Sequence, residues 1–443
     1  MKNGTVVNEN VIFKGGIYIE DEFIVDVYDY SQEGSFEKEA RYASEANDVV
    51  DLCGCYVAPG IIDTHVHFRE PWATDKSTIA SESAAAALGG VTTYFDMPNN
   101  NPAVTNLALL DDKFLTASHD SVVNYSFYMG ATDDNLDEIV RLDPHSVCGV
   151  KIFLGSSTGN MLLDDPAAID HLFLKSPVPI MAHCEDNAII QENLKKAQEQ
   201  FGDDIPFTKH SEIRSREACI KSTDLAIKLA LKNNTRLHIA HISTAEEVEM
   251  LRDAHAKSSR ITGEACVGYL YFEEKDTSKY GPLIKCNPSI KSFYDRKAIR
   301  KGVRQGVIST VSTDHAPHLL SEKNSPYLQS PSGSPYVQFG FLMMLELVHK
   351  RVFKLSTVVD RMSHSPARCF NIEKRGFIKP GCYADLVVFD MNRKSTPDIA
   401  YKCGWSPLKS FSSTILHTMS NGSFVVFNGK LTGVRSAKKV LFT

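Results

Sequence analysis

The residues with the clearest chemical capacity are His65 and His67. They lie in the run Asp63-Thr64-His65-Val66-His67-Phe68-Arg69-Glu70, directly after the apolar Val57-Ala58-Pro59-Gly60-Ile61-Ile62. In an extended strand, side chains two residues apart leave the same face about 6–7 Å apart. The two imidazoles can therefore converge on one metal ion from a rigid strand end. Arg69 continues along that face, placed to hold an anionic substrate. Two histidines alone are commonly satisfied core residues, but further donors recur. Met181-Ala182-His183, Ile239-Ala240-His241 and Ser312-Thr313-Asp314 each end an apolar run. Four histidines and an aspartate on one face suit a divalent transition metal, zinc above others by donor chemistry.

Lys151 sits between Val150 and Ile152-Phe153. An unpaired ammonium buried among such neighbours is costly, so a lysine there tends to lose its proton. A neutral amine can take up CO₂ as a carbamate, whose two oxygens can bridge two metals. Elsewhere such a lysine would reach past the strand end to a carboxylate or phosphate. Beside this many metal donors, a carbamate-bridged pair of zinc ions is the better account. Two such ions make a water nucleophilic at neutral pH and polarise a carbonyl. Asp314 can bind one of them and accept the water's proton as general base. Glu264, at another strand end, reads as a structural ion-pair partner and Cys184 as packing.

These donors need a scaffold that brings distant segments together. Eight short apolar segments qualify as strands: 61–67, 91–96, 122–129, 148–154, 178–183, 236–242, 261–265 and 307–313. Helical stretches such as Ser77–Leu88, Asp186–Gln200, Ala245–Ala256 and Asp295–Val303 follow most of them. Strands apolar on both faces and alternating with helices imply a parallel sheet covered by helices. Eight repeats over roughly 250 residues fit a (β/α)₈ TIM-type barrel, with its active site at the C-terminal strand ends. A doubly wound open sheet is the alternative. Short β-like runs at both chain ends predict a small β-sandwich domain from residues 1–56 and 380–443, around a catalytic barrel of 57–379. Residues 319–336, rich in Ser, Pro and Gly, read as a long loop.

The bulk composition narrows the class. With 443 residues, 43% hydrophobic and 23% charged, the chain has ample material for a large core. A net charge of −6 argues against a broad nucleic-acid surface. No apolar run approaches the ~20 residues that cross a bilayer, and Met1–Thr5 lack the apolar core of a signal peptide. Ten scattered cysteines without a C-x-x-C pair point to a reducing compartment. A cytoplasmic location, with no membrane and no nucleic-acid partner, is the expectation.

On these residues the chain resembles the amidohydrolase superfamily and, within it, the dihydroorotases. The H-x-H pair with a later Thr-Asp-His is the general pattern. His67-Phe68-Arg69-Glu70-Pro71, Asp96-Met97-Pro98-Asn99 and Asp314-His315-Ala316-Pro317-His318, followed by Ser332-Gly333-Ser334-Pro335, carry the finer likeness. The resemblance implies that His65 and His67 hold one zinc, that His183 and His241 hold a second, and that carboxylated Lys151 bridges them. It also implies that Asp314 binds the first zinc and acts as base. By the same resemblance Arg69, Asn99 and His318 hold a substrate carboxylate, and Asn287 contacts the ring. The implied reaction interconverts N-carbamoyl-L-aspartate and L-dihydroorotate, a step of pyrimidine biosynthesis, in a possible homodimer. Allantoinases and dihydropyrimidinases use the same centre on neutral rings. Against those, Arg69 and His318 would be left uncompensated, at a cost of roughly a few kcal/mol. A non-catalytic scaffold relative would lack ligands, whereas every ligand position here is filled. There are three departures from the resemblance: Trp72 and Tyr336 stand where glycine is usual, and Gly268-Tyr269 replaces a His-His pair.

Overall fold

The computed structural model describes residues 1–155, 161, 163 and 165–443. Eight parallel strands run in chain order around its centre: Ile61–Val66, Val91–Asp96, Asn124–Gly130, Gly149–Leu154, Ile180–Cys184, Leu237–Ile239, Ile261–Cys266 and Thr310–Ser312. The first five are buried at every residue, as strands covered on both faces must be. The last strand returns to the first. Val66 bridges His315 in parallel, and the buried Asp63 carboxylate accepts from the Thr313 amide at 3.1 Å and hydroxyl at 2.5 Å. The result is the expected TIM-type barrel.

The sixth and eighth strands are shorter than the apolar runs suggest. His241 and Asp314 take φ of 37° and 50°, outside the extended region, so pairing stops before them. Both side chains are thereby turned at the barrel mouth rather than held in the pleat. Helices Ile79–Leu88, Asn187–Phe201, Ala245–Lys257 and Phe293–Gln305 cover the barrel at the expected places. Each starts with a side-chain cap, from Thr78, Asp186, Thr244 and Ser292 respectively, worth about 1 kcal/mol apiece.

The chain ends build a separate sheet. Its order is Lys430–Leu431, Ser423–Phe427, Thr414–Ser420, Leu386–Asp390, Tyr56–Pro59, Gly4–Asn8, Val11–Glu20 and Phe23–Asp29. The small unit predicted from the two flanks is thus one continuous hydrogen-bonded sheet. Tyr56–Pro59 pairs parallel with Gly4–Asn8 and antiparallel with Leu386–Asp390, and joins both ends of the chain. Gly60 alone separates this strand from the barrel. A Cβ there would fall 2.1 Å from the Thr92 hydroxyl, so the junction admits no larger residue without a shift. A buried ion pair of Arg375 with Asp385, to which Asn124 of the third barrel strand donates at 3.2 Å, fixes the sheet against the barrel.

The long loop of residues 319–336 is ordered by two buried lysines. Lys323 Nζ donates to the carbonyls of Pro331 and Gly333, both at 2.8 Å. Lys285 Nζ donates to those of Tyr327 and Ser330 at 2.7 and 2.6 Å. Among the described residues no helix is long and apolar enough to cross a membrane.

Candidate metal centre and substrate pocket

The C-terminal ends of the barrel strands surround a cavity of about 480 Å³. His65 and His67 enter it from the first strand, and their Nε2 atoms lie 3.3 and 3.2 Å from one oxygen of Asp314. Their outer nitrogens are tied down. His65 Nδ1 meets a Glu264 oxygen at 2.8 Å, and His67 Nδ1 meets Asn99 Oδ1 at 2.8 Å. A carboxylate and a carboxamide oxygen only accept, so each Nδ1 carries the proton and each Nε2 presents a lone pair inward. Two ring lone pairs facing a carboxylate oxygen at these distances are mutually repulsive. A cation between them resolves that.

The opposite wall has the same incompleteness. His183 Nδ1 and His241 Nε2 are 3.0 Å apart. His183 Nε2 is held by Glu185 at 3.0 Å, and Arg214 grips that carboxylate at 2.6 Å. His241 Nδ1 and Lys151 Nζ are buried with no hydrogen-bond partner among the described residues. Orphaned donors and acceptors of this kind are rare in native interiors. All six residues expected as metal ligands line this one cavity, and the His65 and His241 rings, 5.4 Å between centroids, connect its two sides. The donor set fits a divalent metal centre.

Electrostatics favours the required protonation states. Burial pulls His67 down to about 4, and pushes His183 and His241 below the ordinary imidazole range, so the rings are neutral at pH 7, the state in which an imidazole can take a metal. Burial likewise lowers the Lys151 ammonium, in the direction an amine needs to react with CO₂. It would raise Asp314, but His65 and His67 beside it hold the carboxyl below its usual value. Glu264 behaves alike, with His65 outweighing burial and bringing it to about 2.

The expected substrate residues divide by role. Arg69 donates from Nε to the Pro317 carbonyl at 3.2 Å, and its Nη2 lies 3.0 Å from His318 Nε2. Asn287 Oδ1 is buried, lines the cavity and has no hydrogen-bond partner among the described residues. Asn99 also lines the cavity while holding the His67 ring. Four residues here take positive φ without being glycine: Arg69 at 65°, Trp72 at 96°, His241 at 37° and Asp314 at 50°. Such conformations cost about 1–3 kcal/mol each and persist where side-chain placement demands them. Trp72 makes the point sharply: glycine, usual at this position in the resemblance, would adopt its φ freely, and the indole is 70% exposed at the cavity mouth.

The other departures compensate one another. A Cβ on Gly268 would touch the Tyr336 ring at 3.6 Å, so the tyrosine occupies the room that a larger residue at 268 would need. Tyr269 donates its hydroxyl to the Pro288 carbonyl at 2.7 Å, beside Asn287. Glu264, read as a structural ion-pair partner, is paired with His65. Glu185 and Arg214 were not anticipated. Glu185 stands two residues beyond His183, the strand alternation that would have flagged it. Arg214 precedes helix Arg216–Asn233 and carries no local signal. Cys184 is buried, as read.

Sequence relationships agree with this geometry. Residues 56–425 match the amidohydrolase family. The dihydroorotase of Endomicrobium trichonymphae is 31% identical over 357 residues, covering 80% of this chain and 83% of its own length. An allantoinase of Desulfitobacterium hafniense (strain Y51) is 30% identical over 444 residues, covering 97% and 96%. The solved L-hydantoinase (dihydropyrimidinase) from Arthrobacter aurescens superposes with a TM-score of 0.92 over 99% of this chain and 98% of that one. At 23% identity, that likeness is one of fold. The family match begins at the strand that enters the barrel and ends within the terminal sheet, and on that footing the chain belongs to the amidohydrolase family, a hydrolase of the cyclic-amide type.

Proposed function

We propose that the protein is a zinc-dependent dihydroorotase, interconverting N-carbamoyl-L-aspartate and L-dihydroorotate. The observation that carries this reading is Arg69. Its hydrogen bonds go to neutral groups, and among the described residues no ion pair holds it. Burial lowers the guanidinium only to about 10, so it is charged at neutral pH. A neutral ring would leave that charge facing it; a substrate carboxylate suits the planar donor fork.

In this reading His65, His67 and Asp314 would hold one zinc and His183 and His241 the other, with Lys151 as a carbamate completing the donor set. The lysine amine forms a bond to the carbon of CO₂ and releases one proton, which removes an unpaired buried ammonium. A zinc pair held there would supply a nucleophilic water at neutral pH and Lewis acidity toward the ring carbonyl. Asp314, kept ionised by its histidines, accepts a proton and passes it to the departing ring nitrogen; ring closure runs the same steps backwards. Asn287 Oδ1 accepts from the ring, and Arg69 with His318 holds the carboxylate so that the scissile carbonyl is presented to the centre. Catalysis resides in residues 57–379, with 1–56 and 380–443 as support, and a homodimer is part of the same reading.

The test is a comparison of substrates on zinc-loaded protein. Turnover of L-dihydroorotate should exceed that of allantoin or hydantoin by at least about a hundredfold, since a site built for a polar group rejects analogues lacking it. Faster turnover of allantoin would move the assignment to the reaction named for the Desulfitobacterium relative.

A further inference from the structure

His318 lies between two cations. Its Nε2 is 3.0 Å from Arg69 Nη2 and 3.1 Å from the Ser332 carbonyl. Its Nδ1 is 3.3 Å from Lys76 Nζ. The backbone around it is fixed: Trp405 Nε1 donates to the His318 carbonyl at 2.7 Å, and Gly333 leaves only enough room that a Cβ would sit 3.1 Å from the ring. Lys76 is in turn paired with Glu322 at 2.7 Å, whose other oxygen accepts from the Leu319 amide at 3.0 Å.

An ammonium only donates, which makes the two neutral tautomers unequal. With the proton on Nε2, Nδ1 accepts from Lys76 and Nε2–H donates to Ser332. With the proton on Nδ1, the ring loses both of those bonds and gains one from Arg69, while N–H faces the ammonium. Glu322 offers no escape, because its Oε2 is 3.9 Å from Nδ1, beyond hydrogen-bond reach. Burial and the neighbouring Arg69 and Lys76 charges keep the ring from taking a second proton. The first tautomer leaves one conflict: Nε2–H and Arg69 Nη2 are two donors side by side. Nε2–H has the Ser332 carbonyl; an anion beside the pair supplies Arg69 Nη2 with an acceptor and Nε2–H with a second.

We propose that Lys76 is a positioning residue that fixes His318 as its Nε2–H tautomer, so that His318 and Arg69 offer paired donors to the substrate carboxylate. The identity of that carboxylate rests on the dihydroorotase reading; the tautomer does not. Lys76 touches no substrate in this scheme and acts through the imidazole.

The experiment pairs ring-¹⁵N histidine spectra with kinetics on the zinc-loaded protein, using His318→Gln to assign the resonance. The wild type should show Nδ1 unprotonated. Lys76→Met should shift His318 toward the Nδ1–H form and raise the KM for L-dihydroorotate about tenfold, with kcat changed less than twofold. Lys76→Arg, which keeps a donor there, should restore both. An Nδ1–H signal in the wild type, or an unchanged spectrum and KM in Lys76→Met, overturns the proposal. If dihydroorotate is not turned over but the tautomer still depends on Lys76, the positioning role stands and the substrate assignment fails alone. Should Lys76→Met not fold, Lys76→Leu gives the same readout, since it too removes the donor facing Nδ1.

Discussion

Lys151 is the residue on which the metal chemistry turns, and its environment makes a sharp prediction. If Lys151 bridges the metals as proposed, Lys151→Ala removes that group, so zinc content should fall below two per chain and activity should drop by at least about a thousandfold. Added acetate or propionate should restore part of both, because a free carboxylate can stand where the carbamate stood. Retention of two zincs without rescue would remove the bridge. Glu264 gives a second test. With His65 Nδ1 at 2.8 Å, Glu264→Gln weakens the group that orients and polarises a ligand, and zinc affinity measured by competition with a chelator should fall about 10- to 100-fold. The candidate ligands were legible in the sequence because strand alternation and apolar runs mark His65, His67, His183, His241 and Asp314 as strand-end residues. Their supports were not: Glu264 and His65 are 199 residues apart, and nothing local in either segment announces the pairing.

At the scale of elements, the loop over the pocket is the most exposed to test. Gly333 has φ of +134°, and a Cβ there would lie 2.5 Å from the Ala316 carbonyl. Gly333→Ala should destabilise the fold by about 1–3 kcal/mol, read as a lower thermal midpoint, and should raise KM by displacing Ser332. The short helix His210–Ile213 should respond to pH. Burial takes His210 down to about 3, with its ring bonded to Tyr327 and to the Cys286 carbonyl, both at 2.8 Å. The unfolded chain binds a proton near pH 6.5 that the folded one refuses, so stability is complete above that pH and declines as pH falls toward 3. The decline can reach about 1.4 kcal/mol per pH unit. Thermal melts between pH 7 and 4 should therefore be steeper for the wild type than for His210→Gln. All eight barrel strands could be read as apolar runs, yet the early ends of the sixth and eighth could not. Hydrophobicity marks burial, and it is silent on the positive φ of His241 and Asp314. Nor does a Ser- and Pro-rich segment reveal that Lys285 and Lys323 hold it from within.

For the molecule as a whole, the two-ended design was visible because β-like runs flank a chain whose middle alternates strand and helix. How tightly the units join was not: the junction is one glycine, and Asn124, Arg375 and Asp385 meet from segments far apart in sequence. What the assembled molecule does depends on a cationic wall beside a set of inward-facing metal donors. L-dihydroorotate and dihydrouracil differ by the carboxylate alone, so the ratio of their kcat/KM values on zinc-loaded protein isolates that wall. We expect a ratio of at least about a hundred, equivalent to roughly 2.7 kcal/mol, falling to near unity in Arg69→Met. Equal turnover of the two rings by the wild type would contradict the account.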